Sequence, residues 1–200
     1  MSQMSSTDQR PAEYLRADAA RNLHRIVEVA ARLIGEDPHV GMAAVAAAAD
    51  VSRATVYRHF PTREALTDAI RSQALGVGEQ AVIDCRLDEG SATEALRRLV
   101  EAWLEIAAAY GFAQLVGHPG RPLDDEDRAH RRRAFGEPLI ALFARGQAAG
   151  EFSTAVTPEW ATRMFGATVI AGARAVDDGV LARADAADTV FHTLTQGLRP

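Results

Sequence analysis

From Asp18 the chain places apolar residues at three- and four-residue steps: Leu23, Ile26, Val27, Ala30, Leu33 and Ile34. That is the spacing of one helical face. The preceding residues 1–17 lack this period, contain Pro11 and read as a flexible N-terminal arm. Gly35-Glu36-Asp37-Pro38 stops the first helix. A short Ala-rich helix from Met42 to Ala49 follows, then a tight turn at Asp50-Val51-Ser52, then a helix from Arg53 to Phe60. Pro61 breaks the chain, and Thr62 caps a longer helix from Arg63 to about Cys85.

After Gly90-Ser91, the residues Ala92, Ala95, Leu96, Leu99, Val100, Trp103, Ile106, Ala107 and Tyr110 make a clear amphipathic stripe. Residues 111–123 hold three Gly and two Pro and read as loop or a short helix. Asp124 to Ala149 reads as helix. Its acidic start suits the positive end of a helix dipole, Pro138 is a kink point, and Gly150 stands at the C-terminal cap. Thr157-Pro158 opens a helix to about Asp178, with Thr157 as N-cap and Pro158 at the first position. A last helix runs from about Ala184 to Gln196. No strand pattern or internal repeat emerges. The expected fold is all-α, with about nine helices.

Composition agrees. The chain is 48% hydrophobic, and forty of its 200 residues are alanine. Plentiful Ala with few aromatic and β-branched residues favours helix over strand. No apolar run approaches the roughly 18–20 residues that span a bilayer, and the N-terminus has no apolar core of a secretory signal. Cys85 is the only cysteine, so an intrachain disulfide and a Cys-rich zinc site are excluded. These features lead to the expectation of a cytoplasmic protein. The net charge of −5 argues against general polyanion binding, while leaving room for a local basic patch.

That patch lies between Val51 and Arg63, which hold three arginines and no acid. Two short helices joined by a tight turn have helix-turn-helix spacing. Val56 and Phe60, four residues apart, face inward, and Val51 is buried in the turn. Arg53, Ala54, Thr55, Tyr57, Arg58 and His59 then face away from the core. Arginine suits both phosphates and guanine edges.

The string VSRATVYRHFPTREAL, its helical lead-in to Ile34 and its place near the N-terminus resemble the TetR family of bacterial transcriptional regulators. The resemblance covers residues 18–66; the remainder matches in length and all-helical pattern. It implies a helix-turn-helix DNA-binding domain over 18–66 and an effector-binding and dimerisation domain over 67–200. Arg53, Thr55 and Arg58 would lie toward the major groove, Ala54 would offer a methyl contact, and Tyr57 and His59 would clamp phosphate. Thr62 and Arg63 would meet phosphate at the next helix start. Three positions depart from the family. Arg63 stands where Lys is usual. Asp50 replaces a turn glycine, and Asp tolerates left-handed backbone better than most residues. Gly41 replaces a Ser or Thr cap.

In the second half, Trp103, Tyr110, Phe112, Phe135 and Phe143 are candidates either for lining a pocket or for plain core. His118 either enters that pocket or is solvated. The tentative ligand set is Trp103, Tyr110, Phe112, His118 and Phe135. Arg131-Arg132-Arg133 reads as a solvated helix face, with Asp127–Arg131 and Glu126–His130 as pairs. His118, His130 and His192 lack metal-ligand spacing, and no cofactor is expected. No nucleophile motif or phosphate loop is present, so no catalytic residue is assigned and an enzyme is not expected. Small residues at Ala167 and Ala171, with Trp160 and Met164 as bulk, make a helix face for a second copy, met by Val190, Phe191 and Leu194 of the last helix. Two other readings are a helical carrier or enzyme, which would need a polar constellation not found here, and a helical interaction protein with a vestigial motif, against which Thr55, Tyr57, His59 and Arg63 all argue. The leading expectation is a homodimeric, ligand-responsive DNA-binding regulator, most simply a repressor released from a pseudo-palindromic double-stranded operator by a small molecule, without a membrane partner.

Overall fold

A computed structural model describes the backbone of residues 10–37, 39–110 and 125–197, and the side chains of residues 21–37, 39–110 and 125–196. The described residues form α1 (Arg10–Glu36), α2 (Met42–Ala48), α3 (Arg53–His59), α4 (Arg63–Asp84), α5 (Ala92–Tyr110), α6 (Asp125–Arg131), a π-helical segment (Arg132–Gly136), α7 (Glu137–Ala148), α8 (Pro158–Asp177) and α9 (Arg183–Gly197). The stretch from α6 through the π-segment to α7 is continuous, so it counts as two α-helices or as one. Among the described residues there is no strand. The chain divides inside α4 into two compact units, Met1–Ile70 and Arg71–Pro200.

One of the expected boundaries changes. Residues 10–17, read as part of a flexible arm, are the start of α1. Pro11 causes no break there, because the first-turn N–H groups of a helix have no intrahelical partner to lose. Residues 1–9 and 111–124, the latter including the stretch read as loop or a short helix, lie outside the described residues. Pro138, read as a kink point, stands just after the π-segment. The Glu137 N–H donates to the Arg132 carbonyl, an i→i−5 bond. This one-residue slip just ahead of the proline suits a residue that has no N–H for the α ladder.

The first unit is organised by its turns. Asp37 accepts the His39 N–H at 2.8 Å through its side chain, just past the end of α1. At the end of α2, Asp50 takes left-handed backbone (φ 55°). The Val51 N–H reaches the Ala46 carbonyl at 3.0 Å and the Asp50 N–H reaches Ala47 at 3.2 Å, a Schellman closure. Ile26, Ala30, Val45, Val56, Phe60 and Leu66 fill the core beneath.

In the second unit α5 is the central helix. Ala92, Ala95, Leu96, Leu99 and Val100 are wholly buried against α7, α8 and α9. Phe143 of α7, Phe152, Phe165 and Val169 of α8, and Val190 and Leu194 of α9 complete the same core. Each such side chain contributes about 1.5–3 kcal/mol by leaving water. The start of α5 carries a capping box: Ser91 Oγ accepts from the Glu94 N–H, and the Glu94 carboxylate accepts from the Ser91 N–H, both at 3.1 Å. Glu151, far away in sequence, adds a second cap by accepting the Ala92 and Thr93 N–H groups at 3.0 and 2.8 Å.

Candidate nucleic-acid interface and effector cavity

The helix-turn-helix is set by one inward and one outward face of α3. Val56 is fully buried and Phe60 nearly so, and this fixes the roll of the helix. Ser52 caps it: its Oγ accepts the Thr55 N–H at 3.0 Å and lies 2.8 Å from the Thr55 hydroxyl. Opposite the buried pair, Arg53, Ala54, Tyr57 and Arg58 are exposed. They stand at i, i+1, i+4 and i+5 and form one continuous surface. Tyr57 is half exposed. Two guanidiniums and a phenol on one short helix supply cationic and neutral hydrogen-bond donors.

The other expected DNA residues are placed less simply. Thr55 is half-buried, with its hydroxyl against the Ser52 cap. His59 is half-buried with its ring tilted against Phe60. Thr62 is exposed, and its Oγ1 caps α4 by accepting the Ala65 N–H at 3.1 Å. Arg63 is half-buried and donates to the Val40 carbonyl. It therefore ties the start of α4 to the α1–α2 connection, a role with no signal in the sequence because the two residues are 23 positions apart.

The second unit contains an apolar cavity of about 250 Å³ lined by Trp103 and Ala107 of α5, Phe135, Leu139, and Phe165 and Ile170 of α8, among others. Phe135 and Phe165 meet the Trp103 ring edge-on, at centroid distances of 5.4 and 6.5 Å. Two of the five expected ligand residues, Trp103 and Phe135, thus line one cavity. Tyr110 does not line it: it is buried, and its hydroxyl accepts from Gln73 at 3.2 Å. Phe112 and His118 lie outside the described residues. Phe143 is core. His130 pairs with Glu79 of α4 at 2.5 Å rather than with Glu126, because packing brings α4 closer than the neighbouring turn. Asp127 does act on Arg131, favouring its charge against the burial that disfavours it.

Along α8, Trp160, Met164, Ala167 and Ala171 are exposed on one stripe. The expected partner stripe on α9 is corrected. Val190 and Leu194 are buried in this chain's own core, and Phe191 is half-buried under the Arg97 guanidinium, 4.2 Å from its ring centroid. The outward residues of α9 are polar, among them Thr189, His192 and Thr193.

Residues 26–70 match the family model for bacterial regulatory proteins of the tetR family. The HTH-type transcriptional regulator NfxB of Pseudomonas aeruginosa is 30% identical over 173 residues, 86% of this chain and 92% of that protein. The HTH-type transcriptional repressor LfrR of Mycolicibacterium smegmatis is 28% identical over 178 residues, 89% of this chain and 90% of that one. The crystal structure of LfrR in complex with proflavine superposes with a TM-score of 0.69 at 27% identity, covering 90% of this chain and 98% of that one. The match at the helix-turn-helix, the two near-full-length relatives and the shared all-helical fold lead to one conclusion: the chain belongs to the TetR family of bacterial transcriptional regulators.

Proposed function

We propose that the protein is a cytoplasmic homodimeric repressor that leaves a pseudo-palindromic operator when a small, largely apolar molecule enters the second unit. The observation that carries this reading is the outward face of α3. Arg53, Ala54, Tyr57 and Arg58 are exposed together while Val56 and Phe60 anchor the opposite side. A two-fold dimer presents two such helices to successive major grooves, on the order of 34–36 Å apart. The exposed stripe of Trp160, Met164, Ala167 and Ala171 on α8 supports dimerisation, since a two-fold interface pairs a patch with itself. In this reading residues 18–66 read DNA and residues 67–200 bind effector and partner.

The aromatic cavity supports the effector role. LfrR is named a repressor, and its crystal structure holds proflavine, a flat aromatic molecule. The cavity here is walled by flat rings and aliphatic side chains, as small-molecule sites usually are. Two of the rings that line the cavity also pack against α4. A Cβ added at Gly78 would lie 3.3 Å from both the Phe135 and Trp103 rings. An occupant that shifts those rings pushes on α4, whose first residues, Arg63 to Ile70, belong to the DNA-reading unit. Effector and operator affinities are then reciprocally coupled.

The test is selection of random duplex DNA on the purified protein, followed by anisotropy titrations of the enriched site at several salt concentrations. The expected result is a palindromic sequence with a steep loss of affinity in salt. Tyr57→Phe should weaken all sequences alike. Arg58→Ala should relax base preference by about 1–3 kcal/mol at one position per half-site. Unchanged affinity and preference in both variants would refute α3 as the reading helix.

A further inference from the structure

Among the described residues, the indole Nε1 of Trp103 is buried and has no hydrogen-bond partner. An indole nitrogen donates and cannot accept. A buried tryptophan N–H usually finds an acceptor, and one without is costly to keep. The groups packed on this ring cannot supply one. Phe135 and Phe165 meet it edge-on. Its Cζ2–Cη2 edge, on the nitrogen's side of the ring system, faces Gly78 of α4, where an added Cβ would lie 3.4 and 3.3 Å from those atoms. The same indole walls the aromatic cavity, whose described lining contains no charged side chain. Besides Trp103, its polar side chain is Thr162. The Thr162 hydroxyl donates its hydrogen to the Pro158 carbonyl at 2.9 Å. Trp103 therefore holds the uncommitted side-chain donor of the described lining. A charged occupant would be buried there without a counter-ion, at high cost.

We propose that the Trp103 N–H is the specificity determinant of this cavity, donating a hydrogen bond to an acceptor atom on a neutral, flat effector. The carbon walls bind a ring system by the area they bury, and they discriminate little between molecules of equal shape. The directional donor supplies the discrimination. A carbonyl oxygen or neutral ring nitrogen satisfies it, and an isostere without an acceptor leaves it orphaned. The inference rests on the effector reading above and gives that effector a chemical class: uncharged and acceptor-bearing.

Fluorenone and fluorene, which share a shape and differ in a carbonyl against a methylene, test it on the full-length protein. The chain has two tryptophans, so isotopic labelling of the indole nitrogens gives two N–H signals, and Trp160→Phe assigns them. Fluorenone should move the Trp103 indole proton downfield, and fluorene should not. Equilibrium dialysis gives the two affinities, and operator release is followed in the same samples. Trp103→benzothienylalanine keeps the ring shape and replaces the N–H by sulfur. The fluorenone-to-fluorene affinity ratio should be about three- to tenfold higher in the parent than in this variant, the value of one neutral hydrogen bond. The signal shift in the parent reads the same bond without any substitution at Trp103. Failure of both compounds to bind, an indole proton that fluorenone leaves in place or that fluorene moves equally, or a ratio unchanged by the substitution overturns the proposal. Compounds that bind with the expected ratio and shift but leave operator affinity untouched refute the effector reading and leave the role of the Trp103 donor standing.

Discussion

Single residues decide how the ends of these helices are closed, and two of them show opposite relations to the sequence. Asp50 stands where a turn glycine is usual, and it adopts the left-handed backbone the turn requires. The residue type alone made this legible, since Asp pays a smaller penalty there than most L-residues. Glu151 gave no local sign of its role, because the amides it caps lie 58 and 59 positions away. Burial by itself would raise its carboxyl. The Thr93 and Ala92 N–H groups and the Arg145 guanidinium outweigh that and hold it below the ordinary value of 4.5. A carboxylate with a depressed folded pKa contributes stability that is present above the unfolded value and lost as pH falls through the folded one. Glu151→Ala should therefore lower stability by about 1–2 kcal/mol near pH 7, and thermal melts should show the gap to the parent closing below about pH 4. A gap that stays constant down to acid pH would mean the cap acts without its charge. Cys85 needs no chemical role: burial, the largest influence, pushes its thiol up, which leaves it a poor nucleophile.

At the scale of elements, the faces of the helices were legible wherever the apolar period was long. On α5 the expected stripe Ala92, Ala95, Leu96, Leu99, Val100, Trp103, Ile106, Ala107 and Tyr110 is buried except at Trp103, which is half-buried. What periodicity could not supply was the distance between helices. Gly172 of α8 lies where an added Cβ would run into the Val190 side chain of α9, so these helices approach through a missing side chain. Ala is the better helix former by roughly 0.5–1 kcal/mol. The clash should nevertheless win, and Gly172→Ala should cost about 1–3 kcal/mol, the usual range for overpacking. Val190→Ala in the same chain should recover part of that loss in chemical denaturation. If Gly172→Ala is stabilising instead, the α8–α9 contact is looser than described. The same contact explains why Val190 and Leu194 were misassigned to a partner surface. A helix face that is apolar in sequence does not say whether its own chain or a second one covers it.

At the scale of the whole molecule, the prediction concerns the uncovered stripe of α8. Trp160 is 54% and Met164 39% exposed, which is unusual for such side chains beside the small Ala167 and Ala171. Ala171→Arg places a charge at the centre of that stripe. Light scattering should show a shift from dimer toward monomer at micromolar concentration, and operator affinity should fall with it, because each half-site then binds alone. Unchanged mass and unchanged DNA affinity would move the dimer interface elsewhere.

The sequence by itself determined the all-helical class, most helix boundaries, the inward pair Val56 and Phe60, and the exposed set Arg53, Ala54, Tyr57 and Arg58. All of these depend on contacts within a few residues, where period, caps and turn chemistry act directly. Tertiary structure alone decided that Arg63 is tied to Val40, that Tyr110 is tied to Gln73, and that Trp103 meets Phe135 and Phe165 around a cavity. Those pairings join positions far apart in the chain. They are set by how closely helices can pack, a property of shape and side-chain volume across the fold that no local pattern encodes.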